Sequence, residues 1–255
     1  MRAIWTIAKN AYREIIRDRI LYGIVVFALL LIGFSLALGE LSFTEQARIS
    51  ADFGFAGIQL SAGVLAIFVG STLVSREIEK QTILTLLARP VSRGQFVLGK
   101  FLGLSLVIAT VMACLAAVLA LVVAQLGLEL NASFAIAVVG AGLEALVLLA
   151  ITLFFGSFTR PALAVTFATA LFLIGHWVGS LEYFVKKSEL PAFKALARAV
   201  AGAVPDLEAF NWRSAPIYGI VVPASEAARA CGYAAAWTVL LLAATIAIFN
   251  RRDFV

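Results

Sequence analysis

Six stretches of this chain are apolar without alternation, and each is about as long as a helix must be to cross a roughly 30 Å hydrocarbon layer. They are Ile20–Leu38, Phe53–Val74, Phe101–Leu126, Phe134–Phe158, Ala162–Leu181 and Ala227–Phe249. Unbroken apolar character predicts helices, since barrel strands would alternate between lipid and lumen. The expected fold is therefore an all-α membrane protein with six transmembrane helices, read as a single domain over residues 1–255.

The polar segments between the runs carry patterns of their own. Over residues 1–19, Trp5, Ala8, Tyr12 and Ile15/Ile16 fall on one helical face and Lys9, Arg13 and Arg17 on others. This spacing predicts a basic amphipathic helix at the membrane surface; the plainer alternative is a polybasic stop that only fixes orientation. Residues 182–226 form a long segment between the fifth and sixth runs, broken by Pro191, Pro205, Pro216 and Pro223. Within it Phe193, Leu196, Val200 and Val204 recur at helical spacing, which predicts an interfacial or re-entrant helix ended by Pro205. Ile217–Val222 is too short to span and is expected to dip into the outer leaflet before Ser225 caps the last helix.

The third polar segment, residues 75–100, is a charged island carrying Arg76, Lys80, Arg89, Arg93 and Lys100 between two apolar runs. Ile78, Leu84, Leu87 and Ala88 line up as an apolar stripe, with Glu77, Lys80 and Gln81 on other faces, and Pro90 ends the helix so formed. A fixed polar helix between spans is a place for a soluble partner to grip. A solvated loop that only follows the positive-inside tendency is the alternative.

Composition agrees with a membrane location. The chain is 62% hydrophobic and 14% charged with a mean hydropathy of +1.01, against roughly 45–50% and 25% in soluble domains. Lys and Arg gather beside the N-terminal helix, at 75–100, at Arg160 and at Arg251 and Arg252, whereas Glu40, Glu45, Asp52, Glu129, Glu182, Glu189, Asp206, Glu208 and Glu226 lie at the opposite span ends. Both termini are thus expected to face the cytoplasm of a bacterial cell, with the chain multi-pass in the cytoplasmic (inner) membrane. The net charge of +5 and pI near 9.5 then reflect topology and contact with anionic lipid, with no need for nucleic acid. Cations spread from Arg2 to Arg19, with no A-x-A site after the first run, read as an anchor and not as a cleaved signal.

Candidate chemistry is sparse. Gly94–Lys100 fills the first seven places of a P-loop, but Phe101 stands where a magnesium-binding Ser or Thr belongs, and the segment runs into a span. Any ATP chemistry must come from another chain. Ser157 and His176 are the residue types of a serine protease dyad, yet their places in the fourth and fifth runs separate them by roughly 20 Å in depth. His176, beside Trp177, reads more simply as a packed or interfacial residue. Glu144 is a carboxylate midway through a span; such a group lines a pathway or pairs across helices, or is a protonated group at a helix contact. No cationic partner for it is obvious. Cys114 and Cys231 sit in different spans and read as buried structural thiols. No Cys, His or Met cluster has metal-ligand spacing.

The order of residues also resembles the ABC-2 family of ABC transporter permeases. The family pattern of Arg-Glu, Gly-Thr, Leu-Leu, Pro-Val-Ser-Arg and Gly-Lys is matched by Arg76-Glu77, Thr82, Leu86-Leu87, Pro90-Val91-Ser92-Arg93 and Gly99-Lys100, with Gln81 in place of the usual glycine and Thr85 where an acidic residue is common. Pro205–Asn211 and Phe249–Phe254 are similar to the NosY-like subgroup associated with multicopper-enzyme maturation. The resemblance implies an ABC-2 (type V exporter-like) transmembrane domain that is not itself an enzyme and holds no cofactor, with ATP and magnesium bound by a partner ATPase. It implies two copies of an ABC nucleotide-binding subunit, a second permease copy in a homodimer, and a substrate exported or flopped along the permease interface. Arg76, Glu77, Lys80, Thr82, Leu86, Leu87, Pro90 and Arg93 would form the coupling helix, Pro191–Val222 would cap the substrate path outside, and 182–226 would offer a contact for a periplasmic partner, with Glu144 and His176 standing as the intramembrane polar or pathway candidates. An ATPase-driven scaffold that transmits force to an extracytoplasmic protein would use the same coupling segment.

Overall fold

A computed structural model describes residues 2–41, 45–79, 92–188 and 190–251, leaving aside the side chains of 73–79 and 182. Helices α1 (Arg2–Ile16), α2 (Arg19–Glu40), α3 (Gln46–Glu79), α4 (Arg93–Gln125), α5 (Ala132–Gly156), α6 (Pro161–Lys187), α7 (Pro191–Ala203), α8 (Ser214–Tyr218) and α9 (Ala224–Arg251) follow in chain order, with a 3₁₀ turn at Glu208–Phe210 before α8. Among the described residues, α2, α3, α4, α5, α6 and α9 are long and apolar enough to cross a membrane.

Local chemistry sets where these helices begin. The Asp18 carboxylate accepts from the amide of Ile20 at 3.0 Å, which separates α1 from α2. Ser92 and Gln95 form a reciprocal capping box, each side chain meeting the other's backbone amide at 3.2 Å. That box starts α4 at Arg93, eight residues before the apolar run alone indicates, so Arg93–Lys100 belongs to the span's own helix. Asn131 caps α5, and Pro161 opens α6 with its fixed φ. Pro223 closes the approach to α9, its carbonyl accepting from the amides of Glu226 and Ala227. Ser225 therefore lies inside the first turn and does not cap it.

The bundle is centred on α3 and α5, the two spans with the largest buried share, which α2, α4, α6 and α9 surround. The core is close-packed, with Ile58, Leu65, Leu104, Leu115, Leu119, Leu148, Leu149 and Ile151 nearly inaccessible. The cysteines are placed differently from the sequence expectation. Both are free and exposed on helix surfaces, because Cys114 and Cys231 fall on the outward faces of peripheral helices.

Helices α3 and α4 have 34 and 33 residues, which at 1.5 Å per residue makes each roughly 50 Å long. They overrun a roughly 30 Å hydrocarbon layer, and the charged ends Arg76–Glu79 and Arg93–Lys100 extend the bundle at one end. The long segment between the fifth and sixth spans folds onto the opposite end.

Candidate functional site

Three helices converge at the charged end. Gly99 of the apparent P-loop and Gly103 one turn on serve packing there: a Cβ on Gly99 would stand 2.7 Å from Ile7, and one on Gly103 would stand 2.6 Å from the Ala8 carbonyl and 2.7 Å from Ala11. Helix α1 crosses α4 at this small-residue notch, burying Ile7, Ala8, Ala11 and Ile15. Trp5, expected on the same face as Ala8, is instead 61% exposed. The face of α1 that meets protein is thus turned from the one read by periodicity, because contact follows the glycines. The Lys100 ammonium, buried in the same crossing, lies 3.6 Å from the Glu14 carboxylate and 5.8 Å from the centre of the Phe96 ring. Tyr12 and Thr110 share a hydrogen bond of 3.3 Å further along.

Arg93 joins this end to the last span. Its guanidinium donates to the carbonyl of Phe249 at 2.7 Å and to that of Asn250 at 3.2 Å. Those carbonyls belong to the last turn of α9, where intrahelical donors run out and the helix dipole favours a cation. The rings of Phe96 and Phe249 stack beside this contact, 6.1 Å apart. Of the other residues expected to contact an ATPase, Arg76 and Glu77 lie on the backbone of the last turns of α3, while Lys80, Thr82, Leu86, Leu87 and Pro90 lie outside the described residues.

Inside the bundle, Glu144 of α5 is 1% exposed, and two helices bring polar groups to it. The Gln59 amide of α3 donates to Glu144 Oε2 at 2.5 Å. Nε2 of His176, on α6, lies 3.6 Å from Glu144 Oε1 and 3.5 Å from the Gln59 amide nitrogen. The other imidazole nitrogen, Nδ1, lies 3.0 Å from the Phe172 carbonyl one turn earlier, and the Phe172 ring packs edge-on against the imidazole. The sequence marks Glu144 and His176 separately, without a partner; the fold puts them together and adds Gln59. Ser157 takes no part. It ends α5, three turns beyond Glu144, and donates to the Phe154 carbonyl at 2.7 Å.

The far end is closed by Pro205–Arg213. Leu207 and Phe210 are fully buried, and the Leu207 amide donates to the Gly175 carbonyl at 3.1 Å. Glycines make room for this block: a Cβ on Gly175 would lie 2.7 Å from Leu207 and 2.9 Å from the Pro205 carbonyl, and one on Gly140 would run into the Phe210 carbonyl. Gly140 is one turn from Glu144, and Gly175 adjoins His176. The Tyr233 hydroxyl of α9 accepts from the Asp206 amide at 2.9 Å, and Arg213 meets Asp52 of α3 at 3.4 Å. Asn211 donates to Glu208 at 2.7 Å; with Gln59 it lines a cavity with room for about one water.

Helix α7 is found where the periodicity places it, ending just before Val204 and Pro205. Of its apolar stripe Phe193 and Val200 are half-buried and Val204, just past the helix, is buried, while Leu196 is exposed and Ala197 takes the inward place. In the following piece Ile217 and Val222 are buried, whereas Ile220 and Val221 point outward.

Six membrane-length helices around a polar triad whose carboxyl is buried, with a charged helical extension at one end and a folded cap at the other, define a multi-pass α-helical membrane protein. More narrowly, the chain belongs to the ABC-2 family of transporter proteins, whose family model matches residues 5–254. Over 114 residues it is 34% identical to the probable ABC transporter permease protein NosY of Pseudomonas aeruginosa and 32% identical to that of Stutzerimonas stutzeri. Each match spans 43% of this chain and 41% of the relative, less than half of either.

Proposed function

We propose that this chain is the transmembrane permease subunit of an ABC transporter, lying in the cytoplasmic membrane with both termini on the cytoplasmic side. It pairs with a second permease copy and two nucleotide-binding subunits, which hold ATP and magnesium and hydrolyse the nucleotide. The permease turns that hydrolysis into export or flopping of a substrate. Family membership over residues 5–254 supports the general reading. The observation that carries the mechanical part is the union of α1, α4 and α9 at the end where α3 finishes and α4 begins, through Gly99, Gly103 and Arg93. A helix rigidly packed at both flanks passes a push from a soluble partner into the spans attached to it. Glu144 and His176 belong to the intramembrane part of that machinery.

Reconstitution with the ABC ATPase that co-purifies with the chain tests this reading. Substrate-stimulated ATP hydrolysis with movement of substrate across the bilayer is the expected result. Hydrolysis stimulated by an extracytoplasmic protein, with nothing transported, would instead favour the force-transmitting scaffold.

A further inference from the structure

The hydrogen-bond roles around Glu144 leave one proton to be placed. A carbonyl oxygen can only accept, so the 3.0 Å contact with Phe172 makes His176 Nδ1 the protonated nitrogen. In the neutral imidazole Nε2 is then an acceptor; the Gln59 amide nitrogen stands 3.5 Å away, beyond ordinary hydrogen-bond length, and Glu144 Oε1 stands 3.6 Å away. That oxygen is buried and has no hydrogen-bond donor among the described residues. An ionised Glu144 beside a neutral His176 would set two lone pairs against each other in a low-dielectric interior. The Gln59 amide on Oε2 would be the one donor among the described residues to hold the charge, and a carboxylate so placed is costly.

We propose that Glu144 Oε1 and His176 Nε2 share a proton, making the pair a proton-binding site within the membrane-spanning bundle. The ligand is the proton itself, held as a carboxylic acid donating to imidazole or as imidazolium paired with carboxylate. Closing the 3.6 Å separation to ordinary hydrogen-bond length takes a small side-chain adjustment. Gln59 fixes the opposite carboxyl oxygen and thereby orients Oε1 toward the ring. Among the charged groups on the cap side is Glu208, held by Asn211. Asp206 and the Arg213–Asp52 pair lie in or against the same cap, and α9 contributes Tyr233 there through its hydroxyl. From α4 the uncharged Met112 lies against Gly142 of this stretch of α5. This inference rests on the geometry of the pair and not on the transport reading.

The chain contains a single histidine, so ¹⁵N-histidine labelling of protein carrying a non-histidine tag gives one pair of ring resonances. The expected spectrum shows Nδ1 protonated at all pH values and Nε2 shifted from the position of a bare nitrogen. Its pH response should coincide with the infrared carbonyl band of a protonated carboxyl. Glu144→Gln should abolish both the Nε2 shift and the band while Nδ1 stays protonated. The unaltered protein alone can overturn the proposal: a bare Nδ1, or a bare Nε2 at every pH without a protonated carboxyl band, contradicts it. An Nε2 resonance unchanged by Glu144→Gln contradicts it as well.

Discussion

Arg93, the first residue of α4, holds the carbonyl of Phe249 in the last turn of α9 at 2.7 Å. A cation on the last carbonyls of a helix satisfies acceptors that have no intrahelical donor and complements the dipole. The contact also joins the polar segment before α4 to the final span, two parts of the chain separated by 156 residues.

Arg93→Ala should therefore lower the stability of the folded bundle by about 1–2 kcal/mol, the range for hydrogen bonds made by a charged group, reduced for partial exposure. Lysine at this position should recover part of the loss, since it restores the charge without the planar fork. Thermal unfolding of the three proteins in one detergent checks the order. If alanine and lysine variants both unfold with the wild type, the tie contributes nothing.

The crossing of α1 and α4 depends on the absence of side chains at Gly99 and Gly103. Gly103→Leu should displace α1 without preventing insertion of the six spans, because the Ala8 carbonyl and Ala11 Cβ occupy the needed space. Overpacking of this kind costs about 1–3 kcal/mol. A cysteine introduced at Ile15, which is 2% exposed, in a protein whose Cys114 and Cys231 are replaced by serine, should be shielded from a maleimide in the parent and labelled in the variant. Equal shielding in both would show that the notch is not needed.

Gly175→Ala should loosen the cap. Its new methyl meets Leu207 and the Pro205 carbonyl, so hydrogen exchange should quicken at the amides of Asp206 and Leu207, which bond to Tyr233 and Gly175. Exchange in α4 should stay as it was. Equal protection of the cap in both proteins would place its anchorage elsewhere.

Gln59→Leu removes the amide donor from a buried carboxyl and should destabilise the bundle by about 1–3 kcal/mol, the usual cost of an unsatisfied buried polar group. Combining it with Glu144→Leu should cost less than the sum of the two single changes, since the second removes the group that the first left unpaired. Additive effects in unfolding experiments would mean that the two side chains do not act as a unit.

The six spans were legible because unbroken apolar runs of membrane length have few other uses. Their polar ends were harder to place: α4 gains eight residues from the Ser92–Gln95 capping box, a local signal overshadowed by the apolar run beginning at Phe101. Glu144 was conspicuous as a carboxyl inside a span, whereas its partners were not. Gln59 is a neutral polar residue in an apolar run, 85 residues away, and 117 residues separate it from His176. No periodicity reports which faces of α3, α5 and α6 meet. Gly99 posed the opposite problem: with Gly94 its spacing imitates a phosphate loop, and its use together with Gly103 as a helix crossing shows only when α1 is laid against them. Trp5 was misplaced for the same reason.

The most direct test of the ATPase-coupled permease is site-specific photocross-linking in native membranes, with the photoreactive residue at Leu86 in one protein and at Val221 in another. Val221 lies exposed at the end of the bundle opposite to the Arg93–Phe249 contact. The account predicts that Leu86 captures an ABC nucleotide-binding subunit, identified by mass spectrometry, and that Val221 does not. Capture of that subunit from Val221, or from neither position, would contradict it.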